Sequence, residues 1–196
     1  MENENVKANR LGSNLVLGLL VTILSVFTAL GNYSTYKVGS DSSDMEAKGD
    51  RLLADSNTEY IRSSQFIIVD YTMYDNYYVK LGLDDFAAEY YQSQFSENLQ
   101  TSVDRNSPFD EQYYEAMYQP ANDMFNEAFT YFDKANSLGE KEAGFQFSML
   151  ISAVGLSFAA YASLLEETNR LRGIFSTLAT LALVLGIFQY AIIAIG

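Results

Sequence analysis

The sequence contains no cysteine, no histidine and no tryptophan, and only two of its 196 residues are proline. Without cysteine the chain forms no disulfide and has no thiolate for an iron–sulfur cluster or a zinc site. Without histidine it lacks the side chain that most often acts as a general base near neutral pH and most often binds metals. Carboxylates are therefore the main groups left for acid–base or metal chemistry.

The sequence also lacks the common catalytic and nucleotide-binding motifs, namely G-x-S-x-G, G-x-x-x-x-G-K-[ST], G-x-G-x-x-G and H-E-x-x-H. Asp84, Asp85 and Glu89 could hold a hard cation, but no D-x-D-x-D-G loop accompanies them, so we interpret them as solvated surface. We predict that the protein is not an enzyme and has no catalytic residue, no cofactor and no metal site.

Negative charge is confined to the middle of the chain. Residues 32–145 carry 21 acidic and 8 basic side chains, a net charge of −13, and the rest of the chain is neutral overall. A strongly acidic region repels the phosphate backbone of nucleic acids. We therefore expect no nucleic-acid partner.

Three apolar runs without any Asp, Glu, Lys or Arg lie at residues 11–31, 145–165 and 174–196. Each matches the length of about 20 apolar residues that a membrane-spanning helix needs. The first run is longer than the apolar part of a typical signal peptide, so we expect an uncleaved anchor. The sequence thus predicts a multi-pass protein in contact with membrane lipids.

Basic residues indicate how these spans are oriented. Lys7 and Arg10 lie in residues 1–10, and Arg170 and Arg172 lie in the short loop 166–173. An odd number of spans places both segments on one side, which the positive-inside rule makes the cytoplasm. The acidic domain, residues 32–144, and the C-terminus are then predicted to be extracytoplasmic.

Small residues recur at helical spacing within the spans, which predicts close helix–helix packing within the chain or between copies. The second span has Ser148, Ser152, Gly155, Ala159 and Ser163, and the first has Asn14, Gly18, Ser25 and Ala29. Proton relays and ion pathways generally need charged groups inside the membrane, and none is present here. A pump or secondary transporter is therefore disfavoured.

The acidic region has the composition of a helical bundle. We expect a polar joint at residues 39–43, then helices over 45–81 and 84–102, with Gly82 ending the first and Asp84 capping the second. A turn should precede a helix that begins at Pro108, capped by Ser107. Pro120 should interrupt it, and a further helix should cover 121–138, joined to the second span by a bent helix or a short loop.

A seven-residue repeat runs through the first of these helices. The repeat comprises Leu53, Tyr60, Ile67, Tyr74 and Leu81, with Tyr71 and Tyr78 four residues after two of them. This spacing predicts a helix-packing seam, and so many tyrosines suggest a partly wet interface with a helix of the same chain or of a partner. Asp70 and Asp75, inside the tyrosine cluster, could form a polar network with the phenols or orient a ligand.

The layout, together with the segment NTEYIRSSQFIIVDYTMYD, resembles short bacterial membrane proteins of uncharacterised function that have one N-terminal span, a helical middle and two C-terminal spans. The resemblance implies no catalysis. We predict an all-α integral membrane protein that acts as a structural or accessory subunit, assembling with itself or with other membrane protein subunits. The alternative is a membrane-anchored extracytoplasmic sensor or a ligand- or cation-binding module.

Overall fold

The structure, a computed structural model, describes residues 12–195. These residues form five α-helices and no strand, which confirms the predicted all-α class. The helices are α1 (Asn14–Lys80), α2 (Asp85–Gln92), α3 (Glu97–Asp104), α4 (Glu111–Leu164) and α5 (Arg170–Ile195). The predictions for Lys7, Arg10 and the rest of residues 1–10 lie outside the described residues.

Three of the helices, α1, α4 and α5, are long and apolar enough to cross a membrane. Each predicted apolar run falls on one of them. The residues also divide into two compact units: unit 1 comprises the chain up to Asp44 and from Lys134 onward, and unit 2 comprises Met45–Asp133.

Unit 1 is held together by small side chains between its helices. Leu20 and Leu24 of α1 pack against Ala159 of α4 and Ala179 of α5, and all four are buried. A Cβ atom at Gly155 would lie only 2.8 Å from the Cβ of Ala182. Backbones can approach this closely because α4 and α5 present alanine, glycine and serine where they meet.

The packing predicted for the small residues of the first span is wrong for contacts within the chain and stays a prediction for contacts between copies. Gly18, Ser25 and Ala29 are exposed, and leucines at positions 17, 20 and 24 point inward instead. The physical reason is complementarity: α4 and α5 already supply small residues, so α1 fills the space between them with large side chains.

Unit 2 combines the second part of α1 and the first part of α4 with α2 and α3. Its core is formed by Ile67 of α1, Phe95, Leu99 of α3, and Tyr113 and Met117 of α4. Along the α1–α4 contact, hydroxyls donate to backbone carbonyls across the two helices. The Oγ of Ser56 lies 2.8 Å from the oxygen of Ala121, and the Oγ of Ser63 lies 2.6 Å from that of Met117.

The predicted joint at residues 39–43 is wrong, because α1 continues through it without a break. The segment contains no proline, and its small residues serve close packing within unit 1. A Cβ at Gly39 would lie 2.9 Å from the Cδ of Glu142, and the Oγ of Ser42 donates to the oxygen of Ala135 at 2.8 Å. Glycine and serine here mark a contact with α4 rather than a loop: Gly39 faces the carboxylate of Glu142, and Ser42 faces a backbone carbonyl.

The predicted interruption at Pro120 is also wrong, since α4 runs unbroken through it and onward through the second predicted span. Pro120 is exposed, and Ala116, whose carbonyl it leaves without an intrahelical donor, is only partly buried. Solvent can satisfy that carbonyl, which removes the main reason for a break.

The helix expected to start at Pro108 begins at Glu111, because Asp110 rather than Ser107 caps it: Oδ1 of Asp110 accepts the Tyr113 N–H at 2.8 Å. The helix expected over 84–102 is two helices, separated at Ser93–Ser96. Gly82, with a φ of 75°, and the cap by Asp84 agree with the predictions.

The close contact at Gly155 can be tested against a glycine in open space. We expect Gly155→Leu to lower the free energy of unfolding by about 3 kcal/mol or to prevent folding, because overpacking forces backbones apart. Gly18→Leu is the matched control, since no atom lies within 4 Å of its Cβ position. Thermal melting of the detergent-solubilised variants measures the difference. Equal melting temperatures would contradict the packing described for unit 1.

Candidate functional site

The most elaborate polar site of unit 2 is built around Asp70. Its side chain is only 2% exposed, on the face of α1 that points into the unit. It accepts hydrogen bonds from the N–H of Ser96 at 3.0 Å, the Oγ of Ser96 at 2.5 Å and the hydroxyl of Tyr113 at 2.8 Å. Three donors compensate the loss of water around this carboxylate.

Ser96 links Asp70 to the start of α3. The Oγ of Ser96 accepts the N–H of Leu99 at 3.1 Å, which makes Ser96 the N-cap of that helix. One buried carboxylate therefore positions α1, the cap of α3 and the first turn of α4 together. The sequence suggested a polar network between Asp70 and the phenols of its own tyrosine cluster, but the partners in the structure are Ser96 and Tyr113. Since all three donors belong to the chain itself, the arrangement orients helices.

Tyr113 is 1% exposed in this network. Burial, reinforced by the hydrogen bond to Asp70, raises the pKa of Tyr113 far above its usual value. The tyrosine therefore stays protonated and remains a hydrogen-bond donor over the whole physiological pH range.

The loop before α4 holds an unusual backbone conformation at Phe109. Its φ is 59°, in the left-handed region that a bulky side chain rarely adopts. The Phe109 ring stacks on Tyr71 with a centroid distance of 4.2 Å and meets Tyr74 edge-on at 5.4 Å. Aromatic packing of this kind compensates the backbone strain.

The same loop carries an exposed ion pair. Arg105 donates to both carboxylate oxygens of Asp110, at 2.9 and 2.7 Å. This hydrogen bond to Arg105 lowers the pKa of Asp110 below its usual range. Asp110 thus stays ionised while it caps α4.

Tyrosines line one side of the α1–α4 pair in unit 2. Tyr60 stacks on Tyr118 at a centroid distance of 4.6 Å, and the hydroxyls of Tyr71 and Tyr114 are hydrogen-bonded to each other. The hydrogen bond with Tyr71 raises the pKa of Tyr114 to about 12. Tyr60 is 52% exposed and Tyr71 is 41% exposed, so the rings also face solvent.

The residues of the predicted seam lie in three kinds of environment. Ile67 is buried in the core, and Tyr74 packs against it from a partly buried position. Tyr60 and Tyr71 contact α4 tyrosines at the edge of the interface. Leu53 is half-buried, whereas Tyr78 and Leu81 are exposed.

Sequence reasoning missed a second heptad series on α1, which lies at the centre of its interface with α4. Each residue of this series from Ser56 onward follows a residue of the predicted series by three positions. Gly49, Ser56, Ser63 and Asp70 follow one another at intervals of seven and are all buried. A matching signal was present on α4, where Ala121, Ala128 and Ala135 also recur every seven residues. Small residues in register on two helices indicate a close antiparallel approach, and apolar periodicity alone does not detect it.

Other acidic residues that the sequence singled out are exposed. Asp75 lies on the solvent side of α1. Asp84 caps α2 by accepting the N–H of Ala87, and Asp85 accepts the N–H of Gly82. Within residues 12–195, no group of three metal-ligating side chains is placed to hold an ion.

In unit 1 the structure brings four of the five predicted small residues of the second span into helix contacts. Ser148, Ser152, Gly155 and Ala159 are buried, and Ser163 is exposed. The Oγ of Ser148 donates to the oxygen of Gly186 in α5 at 2.9 Å. This face of α4 is occupied by helices of the same chain, so another copy would need a different surface.

Arg172, predicted to lie in the loop 166–173, is 3% exposed at the start of α5. Its guanidinium donates to the oxygen of Gly12 at 2.7 Å, to the oxygen of Leu165 at 2.6 Å, and to the Oδ1 of Asn14. Sequence reasoning had no signal for this role. Arg172 connects the segment before α1 to the turn between α4 and α5, because its planar guanidinium group can donate hydrogen bonds to several acceptors at once.

Comparison of the chain with protein-family models, with curated proteins and with solved structures gives no match. No activity, ligand or partner is therefore transferred from a relative.

The Asp70 network can be tested by a pair of amide substitutions. We expect Asp70→Asn to lower the free energy of unfolding of unit 2 by about 2 kcal/mol, because the amide places a donor against the donors of Ser96 and Tyr113. Asp75→Asn, five residues later and exposed, is the matched control with little expected effect. Hydrogen exchange of the α3 amides, Glu97–Asp104, measures the change. Equal protection in the two variants would show that Asp70 does not hold α3.

The two tyrosine pKa values predict how stability depends on alkaline pH. An unfolded tyrosine ionises near pH 10, whereas Tyr113 and Tyr114 keep their protons to higher pH. The unfolded state therefore binds fewer protons above about pH 10, so the free energy of unfolding falls as pH rises from there through the folded-state pKa values. Below that pH these two groups contribute constant stability.

Tyrosinate absorbance near 295 nm should show a late step at about pH 12, which Tyr114→Phe removes. If Tyr114→Phe instead reduces the absorbance change near pH 10, that result would contradict the hydrogen bond between Tyr71 and Tyr114.

Proposed function

We propose that the protein is a non-enzymatic integral membrane protein that assembles laterally as a structural or accessory subunit, as a homo-oligomer or within a larger complex. One observation carries the assembly part: unit 2, which is charged and contains no span, exposes many large apolar and aromatic side chains. They include Tyr60, Ile61, Phe66, Ile68, Tyr71, Tyr78, Val79, Leu83, Phe86, Tyr90, Phe125 and Phe129. Some of these side chains adjoin one another, as the rings of Phe125 and Phe129 do at a centroid distance of 4.7 Å. Apolar patches exposed in this way mark interaction sites.

The distribution of side chains in unit 1 supports the membrane part. Small and hydroxyl side chains occupy the helix contacts, whereas large aliphatic side chains such as Leu15, Leu19, Leu181 and Leu185 face outward. A lipid environment favours this arrangement, since outward apolar groups cost nothing there and close helix packing provides the association energy. Three spans with the acidic region outside the cytoplasm are the topology we propose.

The chemistry of the chain supports a role without catalysis. Histidine and cysteine are missing from the sequence, and the buried carboxylate of Asp70 is engaged by Ser96 and Tyr113. A carboxylate held in this way fixes the positions of the helices, because its oxygens accept hydrogen bonds from the chain itself.

The alternative proposal is an extracytoplasmic sensor or a ligand- or cation-binding module. A cavity of about 360 Å³ in unit 2 favours it. Its lining includes Glu89, Gln92, Phe95, Gln100 and Asp104. Two carboxylates in the lining of one cavity, those of Glu89 and Asp104, suit a cation. Thermal melting with and without calcium or a small amine tests this alternative, with Glu89→Gln as the variant that should abolish any shift.

Mass measurement of the protein extracted from its native membranes in a mild detergent tests the proposed assembly. We expect a defined particle heavier than the 21.9 kDa chain after subtraction of detergent and lipid. The same measurement after dilution separates a stable complex from a weak one. A clean monomer under all extraction conditions would refute the role as a subunit.

A further inference from the structure

Three exposed tyrosines of unit 2, Tyr60, Tyr71 and Tyr78, lie on one side of α1. Tyr60, Tyr71 and Tyr78 follow one another at intervals of 11 and 7 residues, which keeps them on one line of α1. Tyr114 and Tyr118, one turn apart on α4, join this line through the contacts with Tyr71 and Tyr60. We call these five residues the tyrosine face.

The basic residues of α1 within unit 2 lie on the other side of the helix. Tyr60 and Arg62, like Tyr78 and Lys80, are two positions apart, which separates each pair by about 200° around the axis. Lys48 and Arg51 share the side of Arg62, since they lie 14 and 11 positions before it. On this side of α1, Arg62 lies over the ring of Phe66, and Lys48 lies over the ring of Tyr131.

The remaining basic residue of unit 2, Arg105, is engaged by Asp110. Carboxylates, in contrast, border the tyrosine face. Asp75 lies one turn from both Tyr71 and Tyr78, and Glu111 and Glu115 lie beside Tyr114 and Tyr118; all three are exposed. The ion pairs described within unit 2, Glu59–Arg62 and Arg105–Asp110, involve none of these three.

Aromatic faces attract cations through the ring quadrupole, and neighbouring carboxylates strengthen this attraction. Tyr60 and Tyr78 are 18 positions apart, about 27 Å along the helix. Such an elongated surface suits another chain, because a small ligand would contact only one or two of the rings.

We propose that the tyrosine face binds a helix of another membrane protein that carries arginine or lysine side chains toward it. The inference rests on the proposed role as a subunit and specifies the chemistry of the partner. Charge complementarity selects this occupant over a second copy. Unit 2 carries 17 acidic and 5 basic side chains, a net charge of −12, so two such units repel each other.

Photo-cross-linking of the full chain in its native membranes tests this assignment. The probe is p-benzoylphenylalanine in place of Tyr60, and the control carries the same probe in place of Arg62, on the opposite side of α1. We expect an adduct from position 60 and little from position 62. The attached peptide, sequenced by mass spectrometry, should belong to another protein and contain arginine or lysine within two turns of the attachment point.

Charge neutralisation then separates specific recognition from mere proximity. Combining Asp75→Asn, Glu111→Gln and Glu115→Gln should weaken the adduct about tenfold, since each exposed ion pair contributes a few tenths to 1 kcal/mol. The matched control, Asp55→Asn with Asp123→Asn and Glu127→Gln, removes the same charge from exposed positions away from the tyrosine face and should leave the adduct unchanged.

A cross-link within one chain, to the stacked Tyr118, is not counted as an adduct. A cross-link between two copies of this chain, an attached peptide without basic residues, or equal adducts in both triple variants would overturn the proposal. The mass of the extracted particle, measured on the same membranes, distinguishes a failure of this inference from a failure of the proposed function. A large particle without an adduct at position 60 refutes only the tyrosine face as the binding surface, whereas a monomer refutes the role as a subunit as well.

Discussion

The close approach of α1 and α4 is the constraint on which each unit depends. In unit 2, Gly49 leaves room for the ring of Phe132, and the hydroxyls of Ser56 and Ser63 donate to carbonyls of α4. In unit 1, Gly39 leaves room for the carboxylate of Glu142. Large side chains are displaced from these contacts to the edges and the outside. The exposed tyrosines of unit 2 and the outward leucines of unit 1 both follow from having small residues at the contacts.

Asp70 adds specificity to this packing. Small side chains allow two helices to slide past each other, because glycine, serine and alanine give little resistance along the axis. A buried carboxylate with three directed donors permits one register. Fixing the register of packed helices is the best-attested role of buried polar groups. Asp70 therefore supplies the directionality that the small-residue contacts lack.

Much of the fold could be predicted from the sequence, because the signals were local. The apolar runs predicted long helices, and Gly82 and Asp84 marked a helix end and a helix start correctly. The errors arose where a local signal had a tertiary cause. Gly39 and Pro120 are helix-breaking types, yet Gly39 faces the side chain of Glu142 on α4 and Pro120 faces solvent. The missed series from Gly49 to Asp70 is polar or small, so a search for apolar periodicity found only the adjacent series through Ile67. The buried roles of Asp70 and Arg172 depend on partners far away in the chain, which no local pattern reveals.

The composition of the α1–α4 contact also bears on how the protein is made. A chain emerges from the ribosome with its N-terminal part first, and Ser56 and Ser63 of α1 find their acceptors 65 and 54 residues later. Until α4 exists, that stripe of α1 has no partner. A stripe of leucines would be prone to aggregate during this interval, but glycine, serine and aspartate can remain hydrated at little cost in free energy. The stripe of α1 that packs closely against α4 in the finished protein is therefore poorly suited to aggregation while synthesis is under way.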